Sequence, residues 1–315
     1  MKALVAGGAG FIGSHLIDSL LNEGYQVVCI DNFYNGIKTN ISHLANNNNF
    51  IFYEQDICDY DSLSEIFKIE KFDSVFHLAA NSDIQASAKN PLIEYRNTYT
   101  TTFNLLECMR IYNVKKLFFS STSAVYGDKE NITLTEDTTS LNPISYYGAA
   151  KLGSEALISA YSHMNHFSSL IFRFPNVIGP RLTHGVIFDF IKKLGENPNN
   201  LEILGNGMQT KPYMHVLDLI NCILFFKGKV PKGVSIYNVG VESKTSVKRI
   251  ADIVCNELGL SDVHYSFTGG KAGWEGDVPF FSYNLEKIHK AGWYASMSSD
   301  EAVERTVKEV IHCKQ

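Results

Sequence analysis

Tyr147 and Lys151 stand four residues apart in Ser145-Tyr-Tyr-Gly-Ala-Ala-Lys151, and the earlier run Ser120-Ser-Thr-Ser-Ala-Val-Tyr-Gly127 supplies hydroxyls. Four-residue spacing on a helix puts both side chains on one face, so an ammonium comes to lie near a phenol. A nearby cation favours the phenolate and draws the tyrosine down from about 10 toward working pH, where it can act as a general base or acid. Thr122 adds a hydroxyl able to share a hydrogen bond with the same substrate oxygen. Tyr-x-x-x-Lys alone is a common surface pair on helices. A second motif at the start of the chain makes it candidate chemistry.

Lys2-Ala-Leu-Val-Ala6 is a short apolar run, followed by Gly7-Gly-Ala-Gly10-Phe-Ile-Gly13, an amphipathic segment and Gln26-Val-Val-Cys-Ile-Asp31. The pattern reads as strand, glycine turn, helix, strand. Gly7, Gly10 and Gly13 let the backbone turn off the first strand, bring main-chain N–H groups close to a diphosphate and pack the helix on the sheet. The helix N-terminus favours an anion without help from Lys or Arg. Asp31, closing the second strand, can accept both hydroxyls of an adenosine ribose and repel a 2′-phosphate, which favours NAD over NADP.

The elements that must carry these groups alternate. Phe50–Asp56 reads as a third strand whose terminal acid can meet an adenine amino group. Ser62–Ile69 has helical spacing, and Ser74–Ala80 is a fully apolar fourth strand whose small end, Ala79-Ala80, lets a cofactor lie close. Tyr95–Tyr112 is a long helix and Lys116–Ser121 a fifth strand. Residues 32–49 form a surface loop with a short helix, and Ile236–Gly240 a further core strand. Strand–helix alternation predicts an α/β fold with a doubly wound parallel sheet, a Rossmann architecture, with ligands at the carboxyl ends of the strands. From Asn176 the alternation becomes irregular, as in a smaller mixed C-terminal substrate lobe. The division expected is 1–175 for the dinucleotide, with returning segments at about 212–240, and 176–315 mainly for substrate.

The 315 residues are 45% hydrophobic and 19% charged, with a formal charge of −5. That is ample for a packed core and offers no basic face for nucleic acid and no polybasic segment for anionic lipid, so the partner expected is a small molecule. Six scattered cysteines without a C-x-x-C pair argue for reduced thiols and a cytoplasmic setting, and no apolar run reaches membrane-spanning length. His163 and His166 lack a carboxylate or cysteine at ligand spacing, so no metal is expected.

Gly7-x-x-Gly10-x-x-Gly13, Asp31, Asp56-Ile57, His77-Leu-Ala-Ala80, Asn97, Thr122, Tyr147-x-x-x-Lys151, Arg173-Phe-Pro-Asn-Val-Ile-Gly-Pro-Arg181 and Gln209-Thr-Lys-Pro-Tyr-Met-His-Val216 with Asp218 together resemble the extended short-chain dehydrogenase/reductases, and within them the NAD-dependent nucleotide-sugar epimerases. The likeness runs over nearly the whole chain. It implies that Tyr147 takes a proton from a sugar hydroxyl while the carbon beneath passes hydride to NAD, that Lys151 holds the nicotinamide ribose and lowers the tyrosine pKa, and that Thr122 orients the hydroxyl. For the cofactor it implies Gly7, Gly10, Phe11, Ile12, Gly13, Asp31, Asn32, Asp56, Ile57, Leu78, Ala79, Ala80, Asn97, Ser120, Tyr147, Lys151 and Pro175. For a nucleotide-diphosphate sugar it implies Ser82, Thr122, Tyr147, Asn176, Val186, Lys211, Tyr213, Lys271 and Asp277, with Val186–Phe188 and Leu201–Gly205 lining the base site. Relatives dimerise through the helices 95–112 and 147–162, so a homodimer is expected.

Within this superfamily a 4,6-dehydratase carries an Asp-Glu pair after the catalytic Thr. Here Ser123-Ala124 follow Thr122 and cannot move those protons. The resemblance implies a 4-epimerase acting through a 4-keto sugar; the alternatives are a C4 dehydrogenase releasing the keto product, a uronate decarboxylase and a non-enzymatic NAD sensor. Lys211 and Ala272, beside Lys271, stand where many relatives place arginine, and lysine is not a bidentate fork for a diphosphate. UDP is the family default, with GDP, CDP and dTDP open.

Overall fold

The computed structural model describes residues 1–81, 83–129, 132–270, 273, 276 and 278–312. They divide into two compact units: Met1–Val125 with Leu141–Arg173 and Ile223–Tyr237, and Tyr126–Ser140 with Phe174–Cys222 and Asn238 to the C-terminus.

The first unit is built on β1 (Lys2–Ala6), α1 (Phe11–Asn22), β2 (Gln26–Asp31), β3 (Phe50–Glu54), α2 (Tyr60–Glu70), β4 (Ser74–His77) and β5 (Lys116–Thr122). With strands Ser168–Phe174 and Gly233–Asn238 they form a seven-stranded sheet. Its order from one edge is Gly233–Asn238, Ser168–Phe174, β5, β4, β1, β2, β3, parallel at every pairing from β5 to β3. Parallel strands covered on both faces must be apolar throughout, and β1, β2 and β4 are buried almost end to end. Leu4, Val28, Phe67, Val75, Leu105, Leu117, Phe119, Ile158 and Ile171 share one core. Order reverses at β1, between β4 and β2, which opens the crevice in which such folds bind ligands. The doubly wound sheet expected from the alternation is therefore present.

Several boundaries differ from the sequence reading for local reasons. β3 stops at Glu54, because Asp56 folds back to accept the Cys58 N–H at 2.9 Å. β4 stops at His77, and Leu78–Ala80 turn off the sheet after the Leu78 N–H bonds the Ala6 carbonyl. The helix expected over 95–112 opens as a π-helical turn, Tyr95–Thr100, before Thr101–Ile111 becomes α-helical. Threonine hydroxyls there donate to main-chain carbonyls, Thr100 to Tyr95 and Thr101 to Asn97, and so stabilise a wider turn. Residues 32–49 hold two short 3₁₀ turns. The strand at Gly233–Asn238 lies at the sheet edge, half-buried, instead of in the centre of the core.

The second unit is mixed. Asn176–Ile178 pairs in parallel with Tyr213–His215 and Asn200–Ile203 with His264–Phe267, while Thr210–Lys211 pairs antiparallel with Thr245–Ser246. Helices Val186–Glu196, Val247–Glu257 and Ser299–His312 surround a core containing Phe190, Leu201, Ile250, Val254 and Val303. Among the described residues no helix is long and apolar enough to cross a membrane.

Candidate functional site

The glycine turn leaves β1 at Gly7, whose φ of +80° suits a residue without a side chain. A Cβ there would meet the Ala79 backbone N at 2.6 Å, so β1 and the turn after β4 close on each other only through glycine. At Gly13 a Cβ would lie 2.2 Å from the Gly7 carbonyl oxygen, which fixes α1 against the turn. Gly10 is different: an added Cβ meets nothing nearer than that same carbonyl at 3.3 Å. Gly10 is the N-cap of α1, and neither a side-chain cap nor a first-turn acid satisfies the amides there. Such a turn presents donors and the positive end of a helix to an anion.

Asp31 lies at the carboxyl end of β2, 7% exposed. Its Oδ2 accepts the Ala9 N–H at 2.9 Å and its Oδ1 the Phe33 N–H at 2.8 Å, which ties the carboxylate to the glycine turn. Burial raises its pKa, and the N–H groups of Phe33, Ala9 and Gly10 work against that rise. A carboxylate has about four acceptor sites, so at least one stays open to a hydroxyl donor beside these N–H groups. A glycine cradle, an uncapped helix start and a strand-end carboxylate fit a dinucleotide with a free 2′-hydroxyl. Asn32 is exposed at the same strand end; Asp56 pairs with Arg96 at 2.9 Å, which holds its carboxyl below the usual range against burial. Phe11, Ile12, Leu78, Ala79, Ala80, Asn97 and Ser120 are half-buried, whereas Ile57 is sealed in the core.

Thr122 ends β5 and Tyr147 and Lys151 lie in the first turns of helix Tyr146–Asn165, capped by the Ser145 hydroxyl on the Gly148 N–H. The spacing does bring phenol, ammonium and hydroxyl together. The Lys151 ammonium, however, is 2% exposed and donates to the Ser120 carbonyl at 2.6 Å, with its Nζ 4.6 Å from the Phe119 ring centroid and 6.0 Å from that of Tyr147. Burial lowers its pKa to about 8, with the carboxylates of Glu94 and Glu155 resisting. The Tyr147 phenol moves upward, through burial and the Glu94 charge, while the Thr122 hydroxyl pulls the other way. The expected lowering of the tyrosine by its neighbouring cation is thus reversed here: the ammonium is spent on a carbonyl, and desolvation outweighs it.

Three groups around this pair were given no role by the sequence reading. Glu155 continues the Tyr147–Lys151 face by one turn and is clamped by Arg173 through Nε at 3.0 Å and Nη2 at 2.7 Å, with the Ser121 hydroxyl on the same carboxylate. Its i+4 spacing after Lys151 was the available signal. Glu94 is buried, taking hydrogen bonds from Asn81 Nδ2 at 2.8 Å and Thr98 Oγ1 at 2.7 Å. Only an acid inside the apolar run Leu92–Tyr95 hinted at it. His77 gives Nε2 to Thr102 at 2.9 Å and its buried Nδ1 has no partner among the described residues.

In the second unit Asn176 is half-buried and aligned with Tyr213 across a strand pair, and Lys211, half-buried, is aligned with Thr245. Pro175 precedes Asn176, and Val186 begins a helix after Gly185. Tyr213, Ile187, Leu201 and Ile203 lie in the apolar core, so the segments expected to line a base site spend these side chains on packing; Val186 packs against the same core. Ser82, Lys271 and Asp277 lie outside the described residues.

Residues 3–240 match the model of the NAD dependent epimerase/dehydratase family. The chain is 33% identical over 291 residues to the UDP-glucose 4-epimerase of Lactobacillus helveticus, covering 87% of this chain and 86% of that protein. Among solved structures it is similar to a UDP-galactose 4-epimerase, 36% identical with a TM-score of 0.88 and complete coverage of both chains. It is also similar to the Thermus thermophilus UDP-glucose 4-epimerase in complex with NAD, 27% identical with a TM-score of 0.87, covering 99% of each chain.

Proposed function

The chain belongs to the NAD-dependent epimerase/dehydratase family of enzymes, and from that premise we propose that it is a nucleotide-sugar 4-epimerase, inverting C4 of a UDP-sugar through a transient 4-keto sugar. The observation that carries this reading is the hydroxyl, phenol and ammonium gathered at the end of β5 and followed by Ser123-Ala124. The set can remove and return one proton but holds no acid–base pair to eliminate water. Relatives named for UDP-sugars support UDP as the nucleotide.

NAD, when bound, supplies the acceptor for the C4 hydride and the donor that returns it. The chain handles the proton and the orientation. Tyr147 takes the proton from the 4-hydroxyl as C4 is oxidised and gives it back as C4 is reduced, so proton and hydride are each removed once and restored once and nothing is consumed. Thr122 orients the same oxygen, and Lys151 holds the nicotinamide ribose. Gly7, Gly10, Phe11, Ile12 and Gly13 serve the diphosphate, Asp31 and Asn32 the adenosine ribose, and Asp56 and Ile57 the adenine. Leu78, Ala79, Ala80, Asn97, Ser120 and Pro175 complete the cofactor set. Ser82, Asn176, Val186, Lys211, Lys271 and Asp277 serve the nucleotide sugar. We assign dinucleotide binding to 1–175 with the returning 212–240 stretch, and substrate binding mainly to 176–315. The exposed Tyr95, Phe103, Ile111, Tyr146 and Met164, all within 95–111 and 146–165, support a homodimer through these helices. A cytoplasmic setting fits the unpaired thiols of the described cysteines.

Incubation with a panel of nucleotide sugars, following both sugar stereochemistry and nicotinamide absorbance, tests the reading. Exchange of C4 epimers without lasting reduced cofactor is expected. Stoichiometric reduced cofactor with a keto product would overturn it in favour of a dehydrogenase.

A further inference from the structure

We propose that Asn40 is a positioning residue of the dinucleotide site, holding the Ala9 carbonyl and through it the glycine turn in the form that receives the diphosphate. Its effect on binding rests on the reading of that turn as the diphosphate site; the grip itself is a matter of geometry.

After Asp31 the chain returns over the turn. Gly36 runs so close to Asp31 that a Cβ would lie 2.6 Å from Oδ1, and the Ile37 N–H then donates to the Ala9 carbonyl at 3.0 Å. The 3₁₀ turn Lys38–Asn40, in which the Asn40 N–H bonds the Ile37 carbonyl at 3.0 Å, brings the Asn40 side chain to the same oxygen. There Nδ2 donates at 2.9 Å, and both Asn40 and Ala9 are buried. A carbonyl has two lone pairs, so both donors fit. The Ala9 N–H goes to Asp31 Oδ2 at 2.9 Å. The residue between Gly8 and Gly10 is thus gripped on both its donor and its acceptor by the stretch 31–40.

The grip matters because glycines do not hold their own peptide planes. The Ala9–Gly10 peptide is planar and trans, so the direction of the Ala9 carbonyl sets that of the Gly10 N–H on the opposite side. Gly10 is the N-cap of α1, where an added Cβ would meet only the Gly7 carbonyl, and its N–H reaches that carbonyl at a long 3.3 Å. So weak a bond does not fix the plane by itself. Ile37 supplies one anchor from the main chain and Asn40 the second, from an amide that brings no charge to desolvate beside the buried carbonyl. Asn35 Nδ2 ties the same stretch to Asn81 Oδ1 at 3.3 Å, so losing the Asn40 bond frees the peptide while the loop stays attached. A turn already ordered binds without the cost of ordering, and a loosened one loses affinity by that cost.

Equilibrium dialysis of the full-length chain with NAD and with ADP-ribose tests the role apart from catalysis. Asn40→Ala should raise Kd for both ligands about tenfold, the equivalent of one lost hydrogen bond. ADP-ribose has the diphosphate but no nicotinamide, so an equal loss for the two ligands places the defect at the turn and not at Tyr147. In steady-state rates the KM for NAD should rise while kcat at saturating NAD stays within about twofold. Asn40→Asp keeps the shape without the donor and should weaken both ligands at least as much, which decides the matter where the alanine variant fails to fold. A lowered Tm with native Kd values would make Asn40 a loop anchor only and overturn the proposal, as would a loss of kcat with Kd unchanged. A native chain that takes up neither ligand would overturn the diphosphate reading of the turn and the positioning role with it, whereas native binding with unchanged variants overturns the positioning role alone.

Discussion

The glycine turn after β1 and the Tyr147–Lys151 helix face are both in the first unit, and they are held in place by different physics. At the turn the working groups are backbone amides, and the constraint is distance: Gly7 approaches Ala79 and Gly13 approaches Gly7 so closely that no side chain fits. On the helix face the working groups are side chains, and the constraint is charge in a desolvated place, where an ammonium, two carboxylates and a guanidinium must be kept in balance. A site made of backbone tolerates almost any change of charge nearby but no added volume. A site made of buried charge tolerates similar shapes but no change of ionisation.

This contrast can be broken by experiment, beginning with the change of largest effect. Gly13→Ala adds only a methyl, yet places it 2.2 Å from a carbonyl oxygen, so dinucleotide binding should be abolished and the first unit destabilised; equilibrium dialysis and thermal melting check both. Native affinity in that variant would mean that the turn is not sterically closed. Tyr147→Phe keeps the volume and removes the proton carrier, so kcat should fall about 10²–10⁴-fold with dinucleotide affinity retained, as measured by steady-state rates and titration.

The buried lysine gives a pH test. With Lys151 lowered to about 8, activity that needs the ammonium should decline as pH rises through that value. For stability the sign is opposite: the unfolded lysine binds its proton up to about 10.4, so between the two values the unfolded state holds more protons and this group's contribution to stability rises with pH. In denaturant unfolding the stability of the native chain relative to Lys151→Met should therefore rise from pH 7 to 10, and a difference that does not change with pH would contradict the lowered lysine. The smallest effect belongs to a position outside both regions. Asp59 caps α2 by accepting from the Ser62 N–H, and Asp59→Ala should lower the midpoint of chemical denaturation slightly while leaving turnover unchanged.

Much of the first region was legible in the chain because its signals are local. Gly7, Gly10 and Gly13, the apolar runs of β1, β2 and β4, and Asp31 at a strand end each express a short-range rule of backbone geometry or burial. The same holds for Tyr147 and Lys151, whose shared face follows from helical spacing alone. Glu94 and Arg173 were not legible as parts of the site, because each is brought to helix Tyr146–Asn165 from a distant stretch of chain. Ile187, Leu201 and Ile203 went the other way: apolar residues that resemble a ligand wall were claimed by the second unit's own core.

By itself, then, the order of residues determined the alternating elements, the phosphate-binding turn and which side chains share a helical face, since these depend on neighbours a few positions apart. Only the tertiary structure decided the state of the reactive groups. Lys151 turns to the Ser120 carbonyl, Glu155 is claimed by Arg173, and burial pushes the Tyr147 phenol up instead of down. Ionisation in a protein is set by desolvation and by charges gathered from remote parts of the chain, and no spacing along the sequence encodes either one.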